Sequence, residues 1–222
     1  MKNPLLLVLR LEGPLQSWGE RARWDMRDTA LLPTKSGIIG LLACAHGIPR
    51  QDPGILSLER ALTMGVRIDR PGQIKQDFHT VSGDIITAEG KKRGKVNEES
   101  TLVSYRQYLI DASFLVVLAG PDEILKESAN ALKKPAWPYY LGRKACVPSR
   151  PVFERLTDEY SSLREALNLL PQAVRFGEQN PKVLFCELES IEGKSKRRDR
   201  ALGDPARNYG FRVVEHLLLE AE

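Results

Sequence analysis

Residues 32–42 constrain the fold most, because they predict a helix that begins beside a strand. Thr34 or Ser36 can supply the oxygen that caps the first turn. Gly47 is placed to end the helix in the left-handed conformation. The apolar residues at helical spacing are Ile38, Leu41, Leu42 and Ala45. The segment therefore predicts a helix that buries one apolar stripe.

The first turn of this predicted helix carries Lys35, Ser36 and Gly37. Free backbone N–H groups and the helix dipole favour a phosphate at such a position. Gly37 and Gly40 have no side chain, so another backbone can come close to the turn. The alternative interpretation is a core helix that contains glycine and has a polar start.

The overall composition permits a polyanionic partner without demanding one. The 222 residues include 33 Lys and Arg against 29 Asp and Glu, a net charge of +4. The three cysteines lie far apart and form no metal or redox spacing, so we expect a reduced, cytoplasmic protein with no metal and no cofactor. The apolar run near the start is too short to cross a bilayer, and we expect no membrane association.

The loop after the first predicted strand contains residue types that bind nucleic acid. Gln16, Trp18 and Gly19 suit stacking on a base and hydrogen bonding to its edge. Arg23 and Arg27 follow, and an aromatic residue separates them, as in single-strand binding sites. The alternatives are a tryptophan packed over the rim of the sheet and a solvated arginine-rich loop.

Residues 78–109 predict a long hairpin that projects from the body, with a polar stretch at 84–100 and a mobile basic tip at 91–95. Both legs carry aromatic and hydrogen-bonding residues that a purely structural hairpin does not need, including His79, Tyr105 and Arg106. The alternative for the basic tip is a solvated loop.

Residues 138–144 predict a second site-like loop. Tyr140, Gly142, Arg143 and Lys144 stand together, so backbone N–H groups beside the glycine could meet a phosphate that the cations neutralise. The alternative is a proline-rich surface turn. The charge run at 193–200 is interpreted as a flexible loop that touches phosphates non-specifically.

The order of predicted elements is strand, helix, strands, strand and helix. With one further strand this is the ferredoxin-like split βαβ pattern of an α+β protein, which RNA-recognition sheets share. Residues 1–150 are expected to form this domain with the hairpin inserted. Residues 151–222 are expected to be a small C-terminal extension that completes or flanks the sheet.

Several blocks of sequence resemble the CasD family, the Cascade subunits of type I-E CRISPR systems, within the RAMP superfamily. The resemblance runs from the first strand to about residue 148, with a further closing segment at 207–212. The order and spacing of the blocks make it specific. The blocks are GPLQSWG at 13–19, PTKSG at 33–37, GLL at 40–42, HTV at 79–81, YRQYL at 105–109, DASF at 111–114 and PYYLGRK at 138–144.

The resemblance implies a ferredoxin-like RAMP domain with a hairpin thumb. It implies a non-catalytic subunit that binds the 5′ handle of CRISPR RNA and caps the backbone filament for antiviral defence. Its partners would be the filament subunit and the large subunit, with target DNA reached indirectly. The residues implied to meet handle nucleotides and phosphates are Gln16, Trp18, Lys35 and Ser36. Those implied to line the base of the thumb are His79, Tyr105 and Arg106, and those implied to close the other side are Tyr140, Gly142 and Arg143.

Two other functions remain open at this point. Relatives in type I-C systems process their own CRISPR RNA, so a metal-independent endoribonuclease is one alternative. His79, with Tyr105, Tyr108 or Lys35 nearby, would then act as acid and base. The other alternative is a protein-interaction subunit whose basic loops never contact RNA.

Overall fold

The computed structural model describes residues 2–20, 25–83, 85–86, 92–93, 100–173, 181, 183–202 and 209–220. The helices are α1 Lys35–His46, α2 Gly54–Ala61, α3 Asp122–Lys133 and α4 Leu163–Leu169. The strands are β1 Leu6–Glu12, β2 Leu15–Gln16, β3 Met26–Arg27, β4 Thr63–Arg70, β5 Gln73–Gly83, β6 Ile85–Ile86, β7 Lys92–Arg93, β8 Ser100–Ile110, β9 Ser113–Ala119, β10 Phe153–Thr157, β11 Val183–Glu189, β12 Ser195–Ala201 and β13 Tyr209–Glu220. The predicted α+β class is confirmed.

The larger sheet has seven strands in the order β10-β1-β9-β4-β11-β13-β12, and every pairing registered between neighbours is antiparallel. Four of these strands come from the part of the chain after residue 150. β1 lies between β10 and β9, and five of its leucine and valine side chains are fully buried. This burial explains why the strand is apolar at consecutive positions rather than at alternate ones.

Helices cover the two faces of this sheet unequally. On one face, Leu7 and Leu9 of β1 share a core with Ile38 and Leu42 of α1, to which α2 and α3 also contribute. On the other face, Leu6 and Val8 belong to a smaller core with residues of the short helix α4. The sheet therefore separates the α1 side of the molecule from the α4 side.

The smaller sheet is built around β8. β5 pairs with it antiparallel over eleven residues, from Gln73 opposite Ile110 to Gly83 opposite Ser100. On its other edge β8 pairs with β2 and, in parallel, with β3. The legs of the hairpin thus begin at residues 73 and 110. Residues 84, 87–91 and 94–99 of the polar stretch, which include 91, 94 and 95 of the predicted tip, lie outside the described residues.

The basic run at 193–200 was wrongly interpreted as a flexible loop, because it contains most of strand β12. Arg197 and Asp199 turn inward, and the exposed residues alternate with them. A charged strand gives no apolar alternation from which it could be recognised.

A buried network of charges holds β11, β12 and β13 together. Arg212 donates from Nε to Asp199 (2.7 Å) and from Nη2 to Glu187 (2.5 Å). Arg197 donates from Nη1 to Glu187 (2.8 Å) and also to the carbonyl of Pro33 (3.1 Å). Burial alone would lower the pKa of Arg212, but the surrounding carboxylates raise it, so the guanidinium stays charged.

Glu59 of α2 lies at the edge of this network. Its Oε1 is 3.4 Å from Lys35 Nζ, and its side chain is almost completely buried. Burial raises the pKa of Glu59 to about 7 from 4.5, although Lys35 acts in the opposite direction. At a pH between these two pKa values, Glu59 of the folded protein holds a proton that the unfolded chain has released.

We therefore expect the free energy of unfolding to decrease as pH rises from about 5 to about 7, and this contribution to be constant above pH 7. Urea unfolding at pH 5 and pH 8 of the wild type and of Glu59→Gln measures it. The wild type should lose stability relative to the variant at the higher pH. A relative gain by the wild type would contradict the assignment.

Candidate nucleic-acid interface

The ends of α1 are as the sequence predicts. Thr34 is the N-cap, and its Oγ1 accepts a hydrogen bond from the backbone N–H of Gly37 at 3.2 Å. Gly47 ends the helix with φ of 74°.

In the described part of the chain no helix is both long and apolar enough to span a bilayer.

The predicted phosphate contact of Lys35 is wrong. Its side chain is 3 % exposed, and Nζ lies 2.9 Å from Glu189 and 3.4 Å from Glu59. Its backbone N–H donates to Asp199 Oδ2 at 2.9 Å. A carboxylate of the same chain therefore already occupies this part of the helix amino end, which favours negative charge.

The predicted base contacts of Gln16 and Trp18 are also wrong, because both side chains are buried. Gln16 donates from Nε2 to the carbonyls of Leu11 and Ala112, and its Oε1 accepts from the Trp18 indole at 3.1 Å. Trp18 is 1 % exposed. The alternative interpretation, a tryptophan packed inside the structure, is the one that the coordinates support. Gly19 is exposed beside Trp18.

A groove lies between the outer side of α1 and the loop at 138–144. Its volume is about 200 Å³, and its lining residues are Ser36, Gly37, Gly40, Leu41, Cys44, Tyr140 and Gly142. Two of the separately predicted segments therefore meet at one place. Burial raises the pKa of the Cys44 thiol, which keeps it protonated and poorly nucleophilic.

Glycines set the shape of this groove. A Cβ at Gly37 would lie 2.9 Å from the Trp18 ring, so the buried indole supports the first turn of α1 from behind. Gly142 has φ of 92°, and a Cβ there would lie 1.7 Å from the Ser17 carbonyl oxygen. By contrast, a Cβ at Gly40 meets no atom within 4 Å, so this residue faces open space.

Arg143 connects the groove to the base of the hairpin. Its guanidinium donates to the carbonyls of Gln107 (2.9 Å), Arg27 (2.9 Å) and Asp28 (3.1 Å). It also lies 4.8 Å from the centre of the Tyr108 ring. These contacts give Arg143 a structural role, and its contact with phosphate stays a prediction. Lys144, the next residue, is exposed.

The base of the hairpin presents aromatic and charged groups. Tyr105 is 46 % exposed and pairs with Phe78, which is 60 % exposed. On the opposite face of these strands, His79 Nε2 lies 3.4 Å from Tyr108 Oη and 3.2 Å from Asp77 Oδ2. Arg106 lies in register between Asp77 on β5 and Arg27 on β3.

Sequence reasoning assigned no RNA contact to three residues of this interface, although it noted that Gly40 lacks a side chain and that the hairpin legs carry aromatic residues. Gly40 and Cys44 line the groove, and Phe78 extends the exposed aromatic surface around Tyr105. Helical spacing places Gly40 and Cys44 on the same side of α1 as Ser36, so the signal was present.

The predicted contact residue Arg23 lies outside the described residues. Within the described part of the chain, no cluster of three His, Cys, Asp or Glu side chains could hold a metal ion.

Comparison with solved structures places this fold among CRISPR-associated proteins. A chain of a structure described as "CRISPR RNA-guided surveillance complex" superposes with a TM-score of 0.78 and 34% identity, covering 97% of this chain and 90% of that one. A structure described as "Crystal structure of Cas protein" gives a TM-score of 0.74 and 37% identity, covering 97% and 95%.

Sequence comparison gives the family. The model described as "CRISPR-associated protein (Cas_Cas5)" matches residues 6–215, nearly the whole chain, and the chain therefore belongs to this family. It is also 36% identical, over 159 residues, to the CRISPR system Cascade subunit CasD of Escherichia coli (strain K12). That alignment covers 66% of this chain and 69% of the relative.

Proposed function

We propose that this protein is an RNA-binding subunit of a Cascade-type CRISPR surveillance complex and that it holds the 5′ handle of the CRISPR RNA. One observation carries the proposal: the outer side of α1 and the loop at 138–144 form one groove, which Arg143 joins to the Tyr108 face of the hairpin base. The names of the relatives, a Cascade subunit and an RNA-guided complex, support it.

The strand order supports a ferredoxin-like RAMP core as part of this proposal. β1, β4, β9 and β10 are neighbours in the order β10-β1-β9-β4, with α1 and α2 between the first two in sequence and α3 between the last two. This is the split βαβ arrangement that binding sheets for RNA also use. β11, β12 and β13 then extend the sheet on the β4 side.

The groove suits a sugar–phosphate backbone rather than a bulky side chain. Gly40 leaves the surface of α1 open, and Ser36 and Tyr140 supply hydroxyl groups at the edges of the groove. Exposed Lys144 and half-buried Arg27 and Arg106 can neutralise phosphates that continue past it. Lys35, Gln16 and Trp18 then act indirectly, by fixing the first turn of α1 and the loop beneath it.

The exposed rings at the hairpin base suit unstacked bases. A base stacked on an exposed aromatic ring contributes about 1–3 kcal/mol to binding with little dependence on sequence. Tyr105 and Phe78 offer two such rings side by side. We propose that handle bases stack there, and that the filament subunit and the large subunit cover the remaining exposed surface, so that target DNA is reached only through the complex.

We also propose that the subunit is not an enzyme. His79 contacts a tyrosine hydroxyl and an exposed carboxylate, an arrangement that orients the ring for hydrogen bonding. Lys35, which the endoribonuclease interpretation placed nearby, is buried against two carboxylates instead. Repeat RNA incubated with the protein in chelator should remain intact. Discrete cleavage that His79→Ala abolishes would contradict this.

Gly40→Glu tests the handle site without damaging the helix. Glutamate favours the helix more than glycine does, and the Cβ has free space, so folding should be unaffected. The new carboxylate fills the groove and repels phosphate. We expect at least a tenfold loss of affinity for handle-bearing RNA and less than a twofold loss for RNA without the handle, measured by filter binding on the reconstituted complex.

The matched control is Asn130→Glu, which adds the same charge at an exposed position of α3. It should change neither affinity by more than about twofold, because an exposed charge at a distance is screened by salt. Equal losses for the two RNAs in Gly40→Glu would mean that the groove contributes only general electrostatics and would overturn the assignment.

A further inference from the structure

A row of cations on the outer face of β12 is not used by the proposed handle site. Lys194, Lys196, Arg198 and Arg200 are exposed, whereas Arg197 and Asp199 between them turn inward to the buried charge network. We call Lys194, Lys196 and Arg198 the basic row, because Arg200 pairs with Gly210 and therefore shares the sheet face of Arg212. The inward pair fixes the strand, so the exposed cations are held on an ordered support rather than on a loop.

The spacing of the basic row suits a phosphodiester strand. Lys194 lies in the bend before β12, and Lys196 and Arg198 are alternate residues of the strand, about 6.6 Å apart. This separation is comparable with that of successive phosphates along one nucleic-acid strand. Two acidic side chains of the described residues lie near the row. Glu215 is already paired with Arg164 at 2.7 Å, and Glu192 lies in the turn before the row. The face therefore keeps a net positive charge.

An exposed aromatic ring lies beside the row. Arg197 pairs with Arg212 and Arg200 with Gly210, so the irregularity between them leaves Arg198 and Asp199 opposite the single residue Phe211. Phe211 is the third residue of β13 and is 61 % exposed. Arg198 donates from Nε to the carbonyl of Tyr209, which keeps its guanidinium next to this strand. Cations beside an exposed ring are the combination that single-stranded nucleic acid uses.

The edge of the sheet adds a feature that favours RNA over DNA. β12 is the last strand of the seven, and within the described chain its outer edge pairs with no further strand. Such an edge presents backbone N–H and C=O groups. A ribose 2′-hydroxyl both donates and accepts hydrogen bonds, so it can pair with these groups, whereas deoxyribose cannot.

The row is separate from the handle groove. Asp199 on the inner face of β12 accepts from the backbone N–H of Lys35, so α1 packs against that inner face. The basic row lies on the opposite face of the same sheet. We propose that the basic row and Phe211 form a second binding surface for single-stranded RNA, with phosphates on the cations and one base on the ring.

The test compares Lys196→Glu/Arg198→Glu with Arg60→Glu/Lys134→Glu, which makes the same change of charge on exposed helix-side residues. The probe is a 20-nucleotide oligouridine without a handle, bound to the full-length protein over a range of salt. We expect at least a tenfold loss for the row variant at ~100 mM salt, and a salt slope smaller by about 1.4, since each single-strand phosphate contact contributes about 0.7. The control pair should lose less than twofold.

Phe211→Ala should weaken the same binding by about tenfold with an unchanged salt slope, because it removes stacking and no charge. An oligodeoxyuridine of equal length should bind the wild type at least threefold more weakly than the RNA. Equal RNA and DNA affinities would overturn the choice of RNA. Unchanged affinity of the row variant for oligouridine would overturn the whole proposed surface. This holds also if the variant loses binding to a protein partner instead.

The result is distinguishable from failure of the handle proposal. The row variant should keep the ratio of affinities for handle-bearing and handle-free RNA, because it leaves α1 and the loop at 138–144 untouched. Gly40→Glu should reduce that ratio and leave binding of oligouridine unchanged. A row variant that abolishes the ratio would show that the two surfaces are one site and would contradict the proposal.

Discussion

Replacing Asp199 by alanine is expected to lower the free energy of unfolding by about 3–5 kcal/mol, the usual cost of leaving buried charges without their partner. Asp199 is almost completely buried and accepts from both Arg212 and the backbone N–H of Lys35. Its removal leaves a buried guanidinium and a helix N–H group short of an acceptor. Urea unfolding monitored by circular dichroism measures the change.

The control is Asp122→Ala, which removes the exposed ion pair between Asp122 and Lys126 on α3. An exposed pair of this kind contributes about 0–1 kcal/mol, so this variant should stay close to the wild type. If Asp199→Ala were no more destabilising than Asp122→Ala, the network would not be what attaches β12 and β13 to α1.

Replacing Gly142 by valine should have the second large effect. The residue has φ of 92°, which a β-branched side chain cannot adopt without strain, and its Cβ would meet the Ser17 carbonyl oxygen. We expect a loss of about 2–4 kcal/mol in stability. We also expect at least a tenfold loss of affinity for handle-bearing RNA, because one wall of the groove moves.

Gly40→Ala separates backbone strain from occupation of the groove. Its methyl group meets no atom, so the helix should gain about 0.5–1 kcal/mol. A loss of handle affinity in this stabilised variant would therefore come from the groove alone. Handle affinity that survives Gly142→Val unchanged would contradict the placement of the loop at 138–144 in the site.

The features that sequence predicted best are local ones. Thr34 caps α1 and Gly47 ends it because cap and turn chemistry depends on a few neighbouring residues. The pairing of residues around His79 and Tyr105 in one hairpin also followed from the chain order. The convergence of Ser36 with Tyr140 and Gly142 on one groove agrees with the expectation that these segments share a site.

The features that sequence could not give depend on distant partners. Lys35 was assigned to phosphate because its position on the first turn is right, but its partners Glu189 and Asp199 lie far away in the chain. The strand at 195–201 escaped recognition because its buried face is made of ions rather than apolar groups. The burial of Trp18 likewise depends on packing against Gly37, which no spacing rule reveals.

Photo-crosslinking tests the central claim most directly. CRISPR RNA carrying 4-thiouridine at single handle positions is assembled into the reconstituted complex, irradiated and mapped by mass spectrometry of the crosslinked peptides. We expect crosslinks to residues 36–44 and 139–144 and to the hairpin around 78–79 and 105–106. Handle nucleotides that crosslink only to other subunits, with none in these segments, would contradict the account.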